Sequence, residues 1–419
     1  MSPRPGALRR LARTGRGVSE KPRGRGPQKS DRTRMLFYEP NPDLRADLVR
    51  AGILRLRPPA SETAVVASDA LAIAERIRSA YRSAAAEADE NPGSRPSGEW
   101  ERLIARSYGD LMRGLEGDDL RLLSSTLERM FSTRTTTGLS MGGELGYLSD
   151  EAGRDFYLDW WIDGFYSLAS YLGLLREAMD TAQSPIDSVA GFEALYGAVI
   201  ERLGSNLAFP DVCGAWGVEA YGVLTPRTSW RHVHAAHAML HETASLTSPR
   251  IVEVGGGFGG VAYWAERLRP GTIRYTIYDF PIVNAIAGYF LLRAFPSKSV
   301  SLTGETATPE QPQIALLPNW RVFAEPDCGA DIAFNQDSLP EMPLEAALRY
   351  LEAFDRIVRV GFYSENQEDA HTWDPTDPNS SQPRLSDVDD VMKRLTRVSR
   401  HRAWMRRGYF EAFYRPRVS

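Results

Sequence analysis

The ten residues Ile251-Val252-Glu253-Val254-Gly255-Gly256-Gly257-Phe258-Gly259-Gly260 restrict this chain more than any other stretch. An apolar run leads into an acid and then into a glycine-dense turn that opens a helical pattern. Glycine is needed where the backbone takes positive φ and where a ligand must lie against main chain and a helix N-terminus. The unit predicts an α/β fold in which a strand, a tight turn and a helix hold a nucleotide-type cofactor.

Gly255, Gly257 and Gly260 also satisfy the G-x-G-x-x-G pattern of dinucleotide folds, so the glycines alone do not choose the ligand. Glu253 does. It stands at the carboxyl end of the strand, where a carboxylate repels a pyrophosphate and welcomes a cation. S-adenosyl-L-methionine carries an ammonium and a sulfonium and has no phosphate, which makes it the expected cofactor over NAD. The next strand pattern, Ile273 to Tyr278, ends in Asp279, and a carboxylate at that tip can accept both ribose hydroxyls. Asp279 could also cap the helix that Pro281 opens.

At 419 residues the chain suits two domains. No stretch approaches 18 uninterrupted apolar residues, so no membrane span is expected. Cys213 and Cys328 are the two cysteines, which excludes a disulfide framework and a cysteine-rich metal site and suits a cytoplasmic protein. Residues 1–34 hold 11 Lys and Arg against 2 acids, leaving 39 against 52 for the rest. The first segment lacks apolar periodicity and reads as a disordered basic tail, with Met35 a candidate for the true start. The acidic body offers no basic groove for nucleic acid.

Residues 35–248 read as a helical N-terminal domain without convincing strands, its aromatics (Trp160, Trp161, Phe165, Tyr166) forming core and its surface available for a homodimer. From 249 the rhythm becomes strand, turn, helix, strand. Parallel strands are expected at 251–254, 274–278, 300–303, 331–335 and 357–363, with an antiparallel pair at 402–406 and 409–414. Ile314 to Leu317 is either an extra strand or the true third one.

These blocks, with Asp331-Ile332-Ala333-Phe334-Asn335-Gln336-Asp337-Ser338-Leu339-Pro340-Glu341-Met342 and Gly361-Phe362-Tyr363-Ser364-Glu365-Asn366, resemble those of the bacterial sugar O-methyltransferase family within the class I S-adenosylmethionine-dependent superfamily. The loop Gly204 to Pro210 is similar as well, so the likeness covers roughly residues 200–370. It implies a Rossmann-like seven-stranded sheet with an antiparallel terminal strand, preceded by an all-helical domain. It implies that Glu253, Gly255, Gly257 and Gly259 surround the methionine part of the cofactor and that Asp279 and Phe280 meet the ribose side. Asn335 and Gln336 would then lie beneath the methyl group, with Asp337, Ser338 and Glu341 facing a sugar or glycoside acceptor. Glu305 and Asn319 are the candidates for adenine.

Methyl transfer to an alcohol requires the hydroxyl to lose its proton, and a carboxylate or imidazole can take it. Asp337 and Glu341 could act as that base or together hold a Mg²⁺ ion. His234 and His371 are the imidazole candidates; His232, His234, His237 and His241 crowd one short stretch, in which His234, His237 and His241 share a helical face. The H-E-x-x-H zinc pattern is absent, and no resident metal is expected from it. Two rivals stand beside the transferase: an NAD(P)-dependent oxidoreductase, disfavoured by Glu253, and a non-catalytic S-adenosylmethionine-binding partner protein.

Overall fold

The structure is a computed structural model that describes residues 35–59, 69–88, 90–91, 96, 99–175, 184–296, 300–305, 313–367 and 385–417. The basic segment 1–34 and His371 lie outside the described residues. Up to residue 249 the helices are α1 (Pro42–Arg50), α2 (Ala70–Ala88), α3 (Glu99–Ser107), α4 (Gly109–Glu116), α5 (Leu120–Glu128), α6 (Glu151–Tyr171), α7 (Val189–Leu203) and α8 (Ser229–Glu242). Asp119, Asp150 and Ser188 start α5, α6 and α7 by accepting a backbone N–H of the first turn.

This half is not all-helical. Strands β1 (Leu54–Arg57), β2 (Gly217–Ala220) and β3 (Val223–Thr225) form a small antiparallel sheet. The β2–β3 hairpin turns at Tyr221-Gly222, both at positive φ, as a two-residue turn matched to strand twist requires. Strands of three or four residues are too short to show an alternation that stands out from a helical pattern.

The large sheet contains β4 (Arg250–Val254), β5 (Arg274–Asp279), β6 (Val300–Ser301), β7 (Ile314–Pro318), β8 (Ala330–Gln336), β9 (Val358–Gln367), β10 (Leu395–Arg402) and β11 (Tyr409–Pro416). Their order is β10-β11-β9-β8-β4-β5-β7-β6, parallel except for β11 against β9 and β10. This is the order expected from the sequence with one addition. Ile314–Pro318 pairs with β5 and is the third strand; Val300–Ser301 adds a two-residue edge, so the sheet has eight strands rather than seven. The terminal hairpin also begins earlier than expected, at Leu395, so that residues 402–406 are mostly its turn. Helices α9 (Gly260–Leu268), α10 (Pro281–Ala294), α11 (Leu344–Ile357) and α12 (Leu385–Val391) complete this half.

One hydrophobic cluster runs through both halves, from Leu44 and Trp161 to Ile251, Phe290 and Phe334. Phe258, in the middle of the glycine turn, packs edge-on against Phe131, Phe209 and Phe290 at centroid distances of 5.2–6.3 Å, and against His232. The turn is thereby seated on residues from before and after it. Among the described residues no helix is long and apolar enough to cross a membrane.

Candidate active site

The carboxyl ends of β4, β5, β7 and β8 open into a cavity of about 650 Å³. Gly255 and Gly257 hold φ of +80° and +56°, and a Cβ on Gly255 would stand 2.3 Å from the Ser338 hydroxyl. Bare backbone is what lets β4 turn beneath β8 and into α9. A Cβ on Gly257, by contrast, would meet nothing nearer than Leu139 at 3.8 Å, so that position faces open space where a ligand can approach.

Glu253 lines the cavity but is 2% exposed and accepts a hydrogen bond from the Tyr275 hydroxyl at 3.0 Å. Burial pushes its carboxyl up to about 8. Its burial works against the standing negative charge expected at this position. Asp279 accepts from the backbone N–H of Gly257 at 3.1 Å and of Phe280 at 2.7 Å, and burial likewise raises it, to about 7. It ties the second strand tip to the glycine turn. It does not cap α10: that position is Phe280, with no side-chain cap bond.

After β7, Asn319 donates to the Tyr350 hydroxyl at 2.9 Å, while its buried Oδ1 lacks a partner among the described residues. Glu305, the other adenine candidate, bonds Arg76 and the Leu302 N–H and does not line the cavity. Asn335 is fully buried and spent on structure. It donates to the Val254 carbonyl and accepts from Asn366, and it too is absent from the cavity wall. Gln336 does line the cavity and donates to Glu365 at 2.7 Å.

The opposite wall carries side chains from widely separated segments. Asp337 takes φ +66°, a left-handed conformation that Asp tolerates better than most residues. There its carboxylate accepts from Arg231 at 2.7 Å and from Arg406 at 2.6 and 2.7 Å. Burial works to raise this carboxyl, but the two guanidiniums outweigh it and hold it below the ordinary range. A carboxylate so paired is a weak base, and with Arg406 on both its oxygens it is not free to share Mg²⁺ with Glu341.

Glu341 differs. It accepts from the Trp100 indole N–H at 2.8 Å, and withdrawal from water, with Asp337 nearby, raises it to about 7. Trp100 also lies 6.2 Å from the Phe280 ring, joining α3 to both ends of the cavity. Arg227, held by Glu144 at 2.9 Å and stacked 3.6 Å from the Trp160 ring centroid, and Arg407 complete this wall.

Histidines divide by helical phase. His232 enters the cavity wall and burial keeps it neutral, whereas His234, two residues on, points to the other side of α8 and does not reach the cavity. Trp100, Arg227, Arg231, His232, Arg406 and Arg407 were not singled out from sequence as site residues. They come from three places, position 100, positions 227–232 and positions 406–407, and no spacing signal links places so far apart.

No family model matches the chain, and no curated protein does. Among solved structures it is similar to the magnesium protoporphyrin IX methyltransferase of Synechocystis PCC 6803 with bound S-adenosylhomocysteine, at 11% identity and TM-score 0.33 over 46% of this chain and 85% of the other. A S-adenosylmethionine-dependent methyltransferase from Aquifex aeolicus is similar at 16% identity and TM-score 0.30, over 45% and 93%. The [4+2]-cyclase SpnF is similar at 13% and 0.34, over 45% and 81%.

Proposed function

We propose that this protein is an S-adenosylmethionine-dependent O-methyltransferase whose acceptor is a hydroxyl of a sugar or sugar-containing metabolite. The observation that carries the reading is the convergence, in one cavity, of a bare glycine turn, two acids at successive strand tips and a separate carboxylate raised to about 7. The chain fits the cofactor in particulars. Gly257 leaves space for its approach, Asp279 at the β5 tip is the candidate for the ribose hydroxyls, and the Asn319 Oδ1, without a partner among the described residues, suits the amino group of adenine. Glu253, protonated when alone, releases its proton to bulk solvent as a positive charge arrives and then balances it.

When bound, the cofactor supplies an electrophilic methyl group on sulfur. Glu341 serves as the general base: its carboxylate takes the acceptor hydroxyl proton as the oxygen forms its new bond to carbon, and a base titrating near 7 suits that step at neutral pH. Trp100 fixes the orientation of Glu341. Arg231 and Arg406, anchored by Asp337, shape the wall against which a polyhydroxylated acceptor rests. The sugar class rests on the likeness of the 331–342 block to the sugar-modifying group.

Incubation with methyl-labelled S-adenosylmethionine and a panel of nucleotide sugars and glycosides tests the reading. Label transferred to one acceptor class supports it. Calorimetry showing tight NADH uptake with indifference to S-adenosylmethionine would overturn it, and cofactor binding with no turnover on any hydroxyl acceptor would favour the non-catalytic reading.

A further inference from the structure

Behind the wall that carries Arg231 and His232, α8 presents His234 to the sheet. His234 and Glu365 are 0% exposed and Glu411 is 3% exposed, and one ligand atom from each lies within 4.8 Å of the others. Nε2 of His234 is 3.5 Å from Oε2 of Glu411. Neither ring nitrogen of His234 nor Oε1 of Glu365 has a hydrogen-bond partner among the described residues. Leaving such a group buried and unsatisfied is costly, and two carboxylates withdrawn from water beside one another add repulsion. Arg231, whose charge acts on Glu365, is engaged with Asp337.

The remaining oxygens are held in place from outside. Glu365 Oε2 accepts from Gln336 at 2.7 Å, Glu411 Oε1 accepts from the Trp404 N–H at 2.8 Å, and Glu411 Oε2 accepts from the Tyr363 hydroxyl at 2.8 Å. Outer hydrogen bonds of this kind orient ligating carboxylates.

We propose that His234, Glu365 and Glu411 form a buried site for one divalent transition-metal ion, with Zn²⁺ the best chemical match. An imidazole beside two carboxylates selects zinc and its neighbours over magnesium and calcium, which favour all-oxygen shells. Zinc accepts three protein ligands at about 2.0–2.2 Å and a fourth from water or another side chain. His401, whose Nε2 stands 4.0 Å from Glu411 Oε2, is the protein candidate for that place. The ion would pin α8 to β9 and β11 and so fix Arg231, His232 and Gln336 in the cavity wall in front of it. Its role is to position; it does not touch the acceptor.

The test uses the full chain purified without a histidine tag, stripped with a chelator, dialysed and titrated with ZnCl₂ against a chromophoric chelator. One equivalent of zinc is expected, with a raised Tm, and Co²⁺ in its place should show tetrahedral visible bands. Glu365→Gln and Glu411→Gln, which keep side-chain shape, should each weaken zinc by more than about 100-fold, beyond what outer-sphere changes give. His234→Ala should do the same and His241→Ala, at an exposed position, should not. Circular dichroism of each variant separates loss of metal from loss of fold. Substoichiometric zinc in the wild-type protein, or unchanged affinity in the two folded Gln variants, overturns the site; Mg²⁺ binding there in preference to zinc overturns the choice of ion.

Discussion

At the proposed cofactor end of the cavity, residues 253–280 supply the decisive features within a single strand-turn-helix-strand unit, and they act mainly through backbone: positive-φ glycines, the Gly257 N–H bound to Asp279 and the tips of two strands. At the proposed acceptor end, Trp100, Arg227, Arg231, Asp337, Glu341 and Arg406 come from separate elements and line the cavity with side chains. The first end tolerates almost no change of backbone and rests on one aromatic seat around Phe258. The second depends on charge pairing and on distant segments meeting. A sequence announces the first kind of site and hides the second.

Glu341→Gln should have the largest effect and should divide the two ends. Turnover is expected to fall by roughly 10²–10⁴-fold, the range for a lost general base, while cofactor affinity by calorimetry stays near wild type. In the wild-type enzyme the rate should rise with pH through about 7, as the Glu341 carboxylate forms, and that rise should vanish in the variant. Equal losses of affinity and turnover would show that the two ends are not separable.

Gly255→Ala attacks the other end. A residue with a Cβ at φ +80° costs roughly 1–3 kcal/mol, and the overlap with Ser338 adds to it. Cofactor affinity should therefore drop by about 100-fold, and a wild-type dissociation constant would refute a backbone-made pocket.

Asp337→Asn should reduce stability by roughly 2 kcal/mol in denaturant melts, below the range of about 3–5 kcal/mol for breaking a fully buried pair because its side chain keeps 23% exposure. Because its folded carboxyl lies below the ordinary value, this stabilisation is complete above the unfolded value near 3.9 and is lost as pH falls through the folded one. The difference in stability between wild type and the Asn variant should thus close in acid and persist at neutral pH. A smaller effect is expected from Asn319→Ala, about tenfold in cofactor affinity for one hydrogen bond and its environment, with little change when the adenine is replaced by a base lacking the amino group. Equal losses with both ligands would remove Asn319 from adenine recognition.

The sheet order was legible because each long strand ends in a punctuated turn, and β4 and β5 carry acids at their tips. Ile314–Pro318 stayed ambiguous beside Val300–Ser301 since both read as short apolar runs; only pairing with β5 decides between them. The N-terminal sheet was missed, although Tyr221-Gly222 between two short runs is a turn signal of the right kind. Histidine phase misled in a specific way. Grouping His234, His237 and His241 as one face was geometrically sound, but it said nothing of which face meets the cavity, and His232 does. Asp337 and Glu341 part ways for a reason composition cannot show: two guanidiniums arrive at one carboxylate from positions 231 and 406, and an indole arrives at the other from position 100.

Phe258 sits at the centre of the glycine turn with its ring lodged among Phe131, Phe209 and Phe290. A fragment beginning at residue 249 would keep every glycine yet leave that ring facing water on the side of Phe131 and Phe209, and hybrids that graft a foreign first half onto this second half would inherit the same defect. Exchange of acceptor preference between such proteins therefore has to transplant the aromatic seat along with the residues that touch the acceptor.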